Sequence, residues 1–133
     1  MNLLARLEDD FAGGVPVVRV HGEIDASNAR DIADRLRAGL TNRSNALVVD
    51  LSPTTYLDSA GINLLVALGE EMARRQQRLA LVVDPGSPIA RMVSITGLDR
   101  VLAVRATLPE AVQGVREDDD AAGTAVGPVI GPG

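Results

Sequence analysis

Two short runs constrain this chain more than any other feature: "ALVVDL" at 46–51 and "LALVVD" at 79–84. Both are rich in valine and leucine and lack polar alternation, the pattern of a strand covered on both faces in a sheet flanked by helices. Ahead of them, Leu3 to Glu8 and Val15 to His21 read as strands about a turn at Gly13 and Gly14, with Pro16 suited to a strand start or an edge. Asp25 or Ser27 is placed to cap a helix in which Ala29, Ile32, Ala33, Leu36 and Leu40 recur at helical spacing, ending near Gly39 or Asn42. Between the two buried runs, Ile62, Leu65, Val66, Gly69, Met72 and Ala73 share one helical face. Ser87, Pro88 and Gly97 then bracket a helix as cap, first residue and terminator. "VLAV" at 101–104 reads as a last short strand, and Thr107 with Glu110 forms a capping box for a helix ending near Val115. The order β-β-α-β-α-β-α-β-α implies one α/β domain with a largely parallel core.

With 133 residues and 46% hydrophobic content, the chain can bury one core without disulfides or a structural metal. It has no cysteine, which excludes thiol catalysis and zinc-finger ligation. All 13 basic residues are arginine, which removes the phosphate-binding lysine of a P-loop and any Schiff-base chemistry. The formal charge of -5 is concentrated: four acids stand at 117–120, leaving 14 acids against 13 arginines over residues 1–116. With a nearly neutral body and 2% aromatics, no nucleic-acid partner is expected. No stretch approaches the roughly 20 apolar residues of a membrane helix. The start "MNLLARLEDD" turns acidic where a signal peptide would stay apolar. A cytoplasmic location without a membrane partner is therefore expected. The domain is placed at 1–116, and the acidic then Gly, Pro and Ala-rich stretch 117–133 is expected to be disordered.

Chemistry concentrates at Asp58, Ser59, Ala60 and Gly61, where the loop after the first buried run meets a helix. Asp and Ser are favoured helix caps, so a structural role stands first. A nucleophilic Ser59 would need a general base, and the one histidine is His21; D-S-A-G also lacks the G-x-S-x-G of a nucleophile elbow. Asp50 stands where a receiver domain carries its phospho-accepting aspartate, but there is no lysine to hold the phosphate and no acidic pair to hold magnesium. Pro85, Gly86 and Ser87 make no nucleotide-binding fingerprint, so neither a cofactor nor a metal is expected. The remaining role for Ser59 is that of a kinase substrate. A phosphate at a helix N-terminus is favoured by about 0.3–1 kcal/mol through the dipole and free amides, so it would alter a contact surface without unfolding the domain.

The combination of Gly22-Glu23-Ile24-Asp25, Asp58-Ser59-Ala60-Gly61 and Thr96-Gly97-Leu98, in this order over roughly residues 3–115, resembles the STAS domains of bacterial anti-sigma factor antagonists. The resemblance implies a single domain with a small mixed β-sheet packed with about four helices, and no enzymatic activity. It implies partner switching: the unmodified protein binds an anti-sigma factor and so releases a sigma factor. That anti-sigma factor is also a serine kinase that phosphorylates the antagonist, and a metal-dependent, PP2C-type phosphatase reverses the modification. By motif match Ser59 is the phosphoacceptor, with Asp25, Asp58, Ala60, Gly61 and Asn63 around it on the contact surface; Asp25 is alternatively only a helix cap. Ala60 replaces a second serine found in many members, and Asn63 stands where a small residue is common. A STAS module serving a stress-signalling complex, a transporter or a lipid-transfer system is the alternative within the fold. A Ser59–His21 hydrolase is the alternative outside it.

Overall fold

The computed structural model describes residues 4–40 and 45–124. Strand β1 (Ala5–Ala12) and strand β2 (Val15–Ile24) form an antiparallel hairpin in which Ala12 pairs with Val15 across a two-residue turn. Gly13 and Gly14 have φ of 59° and 82°, and a turn with two positive φ values matches the twist of the strands it joins. β1 begins and ends later than expected, because the turn glycines fix the register and carry the pairing out to Ala12. Helix α1 (Ala29–Ala38) follows, then β3 (Ala46–Asp50), β4 (Thr54–Leu57) and α2 (Ser59–Arg74). The chain continues through β5 (Arg78–Val82), α3 (Pro88–Thr96), the one-turn α4 (Leu98–Val101), β6 (Ala103–Arg105) and α5 (Leu108–Thr124).

The sheet order is β1-β2-β3-β5-β6, with only the β1–β2 pair antiparallel, so the sheet is mixed with a parallel core. β4 lies beyond β3 on the same edge of β2: β3 pairs with Val17–Arg19 and β4 with Gly22–Ile24. β3 and β5 are buried on both faces, Asp50 being the one buried charge between them, as their unalternating sequence implies. One face packs Leu47, Val49 and Leu81 against α1, α2, α3 and α4 through Leu36, Leu65, Leu68, Val93 and Leu98. The other packs Val17, Val48 and Val82 against α5 through Ala111, Val112 and Val115.

Several local expectations are corrected. The segment 54–57 is a strand rather than loop: it pairs with Gly22–Ile24, and Thr55 is an extra residue opposite the Gly22–Glu23 step, so that Ile24 meets Leu57. The Thr54 hydroxyl, buried, donates to the Val20 carbonyl (2.7 Å) and pins that strand. Val101 closes helix α4 instead of opening the last strand, since Leu98 is buried against the core and the Leu102 N–H returns to the Leu98 carbonyl. Neither Asp25 nor Ser27 caps α1; its start lies at Asn28. The α2 face is wider than expected, burying Leu64 and Leu68 while Ala73 stays exposed.

Gly97 ends α3 with φ of 74°, and the Thr107 capping box forms, its hydroxyl accepting the Glu110 N–H (3.3 Å) and donating to Glu110 Oε1 (3.1 Å). α5 runs to Thr124, past its expected end at Val115, because Glu117 to Ala122 contains no glycine or proline and closes with two alanines. Helix thus covers the first part of the stretch expected to be disordered. Leu3, Asn42 and residues 125–133, to which expectations were also attached, lie outside the described residues.

β1 carries Glu8, Asp9 and Asp10 in succession, and each has a partner: Glu8 hydrogen-bonds His21 Nε2 (2.9 Å), Asp9 meets Arg35 (3.5 Å) and Asp10 meets Arg19 (3.1 Å). Arg19 also faces the buried Asp50 (Nε to Oδ2, 3.4 Å), whose Oδ1 accepts the Ser52 N–H (2.9 Å) and shapes the turn into β4.

Gly22 has φ of 97°, and a Cβ there would collide with the Leu4 carbonyl oxygen that receives the Glu23 N–H. Gly22→Ala is expected to cost about 1–3 kcal/mol, the range for a strained non-glycine backbone. Urea unfolding should show a lower midpoint with an unchanged slope; a variant as stable as the parent would refute the close approach of the Leu4 carbonyl to Gly22.

Candidate functional site

The pairing of β4 with the end of β2 brings two loops to one end of the sheet. Ile24 pairs with Leu57, so Asp25 and Asp58 leave neighbouring parallel strands, about 4.8 Å apart, at the same level. The Asp58 N–H donates to the Ile24 carbonyl (3.3 Å) and ties the two exits together.

Asp58 is the N-cap of α2. Its Oδ1 accepts the N–H groups of Ala60 (2.9 Å) and Gly61 (3.1 Å), two of the donors a helix start leaves unpaired. Ser59 is therefore the first helical residue and not the cap; it is exposed, and its hydroxyl makes no hydrogen bond among the described residues. Asn63 is one turn further along and exposed, which puts it on the same ridge as Ser59. Ala60 is half-buried. Gly61 is buried: a Cβ there would collide with Leu57 Cδ1 and stand 3.0 Å from Ile24 Cγ2. It belongs beneath the surface rather than on it, where it lets α2 approach the strand ends.

The opposing loop is braced from within. Asn28, buried, donates from Nδ2 to the Glu23 carbonyl (2.8 Å), and its Oδ1 accepts the Asp25 N–H (2.9 Å). Asp25 Oδ1 accepts both the hydroxyl (2.6 Å) and the N–H (2.8 Å) of Ser27. These bonds, the Ser27 hydroxyl first, hold the Asp25 carboxyl below its ordinary pKa, so Asp25 is a fixed, half-buried negative charge rather than a cap. Sequence reasoning missed Asn28; the available signal was the D-x-x-N spacing, a pattern in which a side chain closes its own turn. It also missed Tyr56, which is 48% exposed and pairs with Glu23 beside this loop.

His21 does not join the site. It bonds Glu8 on the sheet face opposite α2, since Val20 and Ile24 point to the α2 side and His21 alternates with them. The Ser59–His21 dyad is therefore not formed. Among the described residues, no cluster of three or more His, Asp or Glu side chains is placed to hold a metal, and no helix is long and apolar enough to cross a membrane.

A mixed sheet with helices on both faces, and a capped helix start that presents a serine beside a second acidic loop, define a STAS domain. Residues 7–107 match the family model described as "Mlab, STAS domain", and the chain belongs to the STAS-domain family. It is 34% identical over 103 residues to the anti-sigma-F factor antagonist RsfB of Mycobacterium tuberculosis, covering 77% of this chain and 83% of that one. The anti-sigma-B factor antagonist of Listeria monocytogenes is 29% identical over 86 residues, 65% of this chain and 75% of that one. The crystal structure of an anti-sigma factor antagonist from Mycobacterium paratuberculosis superposes with a TM-score of 0.75 at 31% identity, covering 84% and 94% of the two chains. The relatives named as antagonists are regulatory proteins rather than enzymes.

Because the folded Asp25 titrates below its unfolded value, its contribution to stability is present above the unfolded pKa and lost as pH falls through the folded one. Ser27→Ala is expected to move the Asp25 titration upward, toward the ordinary carboxylate range. An NMR pH titration of the Asp25 carboxyl carbon in both proteins reads this directly, and coincident curves would refute the assigned cause.

Proposed function

We infer that this chain is a cytoplasmic anti-sigma factor antagonist, and that residues 1–116 form the unit that binds an anti-sigma factor while Ser59 is unmodified. The observation that carries the reading is the placement of Ser59: an exposed, unbonded hydroxyl at the first residue of α2, between the fixed carboxylates of Asp25 and Asp58. The antagonist relatives support the partner class. A hydroxyl in that position is open to a kinase, and the partner that serves as kinase and target would carry both activities. A PP2C-type phosphatase would restore the unmodified state.

The geometry changes the expected physics of the modified state. The Ala60 and Gly61 amides are already bonded to Asp58, so a phosphate on Ser59 finds only the helix dipole and not a nest of free donors. Adding about 1.5–2 negative charges beside Asp58 and Asp25 then acts chiefly as repulsion and bulk on the docking surface. The fold is expected to survive, because the core lies below this rim and no buried bond is broken.

Ser59→Ala should bind the anti-sigma factor whether or not ATP is present. Ser59→Glu and the kinase-treated parent should bind at least about tenfold more weakly, since like charges placed in an interface cost several kcal/mol. Asp58→Ala should lose about 1 kcal/mol of stability, a cap's worth, and weaken binding further than that loss explains. Calorimetric affinities at one salt concentration, with thermal melts alongside, check all four. Equal affinities throughout, or labelling of a residue other than Ser59, would return this serine to a structural role. Affinity capture from the native cell extract, with and without ATP, tests the partner class itself.

A further inference from the structure

At the far end of α2, a cavity of about 180 Å³ opens at the edge of the sheet. Its origin is the brevity of β6. That strand pairs only with Ala80–Val82, so the first two residues of β5, Arg78 and Leu79, have no neighbouring strand on that side. α2 bounds the space on one face of the sheet and α5 on the other. It stays open because small residues line it: Gly69, Ala73, Ala80, Ala103, Ala111 and Gly114. Leu102 closes one wall, lying so tightly against Gly69 that a Cβ there would collide with it. Val101 forms the lip and is 64% exposed. An apolar void of comparable size, about 150 Å³, holds a benzene-sized guest.

The mouth is cationic. Arg78 and Arg105 line it, and among the described residues no carboxylate does. The Arg105 guanidinium lies across Gly114 and donates only to its own chain, at the Val104 carbonyl (3.2 Å); among the described residues it forms no ion pair. Asp9 and Asp10 of β1, by contrast, each pair with an arginine. A largely apolar cavity with a planar two-pronged donor at its rim, one that forms no ion pair among the described residues, matches a ligand with an apolar body and one planar anionic head.

We propose that this edge cavity binds a short-chain amphipathic monocarboxylate, its alkyl body between α2 and α5 and its carboxylate on Arg105. The site is distinct from the Ser59 end of the domain, and the proposal stands independently of the phosphorylation reading.

The test uses the full 133-residue chain and sodium octanoate below its micelle concentration, followed by ¹H–¹⁵N NMR. Saturable shift changes confined to Gly69, Ala73, Leu102, Ala103 and Gly114 are expected, with octyltrimethylammonium of the same chain length producing none of them. Arg105→Gln, a change at an exposed position, should weaken octanoate roughly tenfold, the scale of one charge-assisted hydrogen bond. Ala103→Leu, which fills the void, should abolish the response while the remaining spectrum keeps its dispersion. If Ala103→Leu fails to fold, Arg105→Gln alone decides. Non-saturating shifts, shifts scattered over the surface, equal binding of the cationic probe, or an unweakened Arg105→Gln variant would each overturn the site.

Discussion

The pairing of β4 with the end of β2 is the interaction on which the rest of the site depends. It exists because Gly22 accepts a backbone conformation closed to other residues, and because the Thr54 hydroxyl takes the Val20 carbonyl in the interior. The register shift leaves Thr55 as an extra residue in β4, so that Thr54 and Leu57, three apart, are both buried. With it, Ile24 and Leu57 close the core together, Gly61 tucks against both, and the start of α2 is fixed to the strand exits. Asp25, Asp58 and Ser59 inherit their positions from three or four backbone contacts below them.

How much of this was legible in the sequence follows from how local each cause is. The two buried strands, the α3 terminator at Gly97 and the Thr107 capping box declare themselves within a few residues, and the structure has them. The DSAG helix start was legible for the same reason, down to Asp58 as a cap. β4 was not, because "TTYL" is four residues whose alternation is broken by the extra Thr55, and it becomes a strand only by pairing with the distant Gly22–Ile24. α4 was not, because its single turn forms by burying Leu98, and its last residue, Val101, is β-branched and reads as strand. Asn28 was hidden by the nature of its partners, which are backbone atoms of Glu23 and Asp25 and carry no residue signature. The role of Gly61 needed the third dimension, since only the contacts with Leu57 and Ile24 separate a packing glycine from a surface one.

The site's charge logic differs from that of a simple helix-terminus anion pocket. Asp58 consumes two of the helix-start donors, so this end of α2 is already supplied with its anion before any modification. The Ser27 bonds keep Asp25 ionised on the facing loop. A partner that docks here meets two set carboxylates with a neutral hydroxyl between them, and its complementary surface must offer donors or cations at that spacing. One added phosphate changes the local charge from two negatives to nearly four while leaving the scaffold untouched.

The acids of β1 have a different bearing. This strand is eight residues long and, among the described residues, no strand pairs with its outer edge, the arrangement through which sheets of separate molecules fuse. Two devices counter it. Arg6, Glu8, Asp9 and Asp10 surround the edge with ionised groups, and their links to Arg19, His21 and Arg35 hold those groups in place. A second copy offering the same strand antiparallel would bring carboxylate opposite carboxylate. The opposite edge is β6, whose three residues are too few to template a long ladder. Crowding alone therefore does not extend the sheet from one molecule to the next, and this disfavours polymerisation into fibrils.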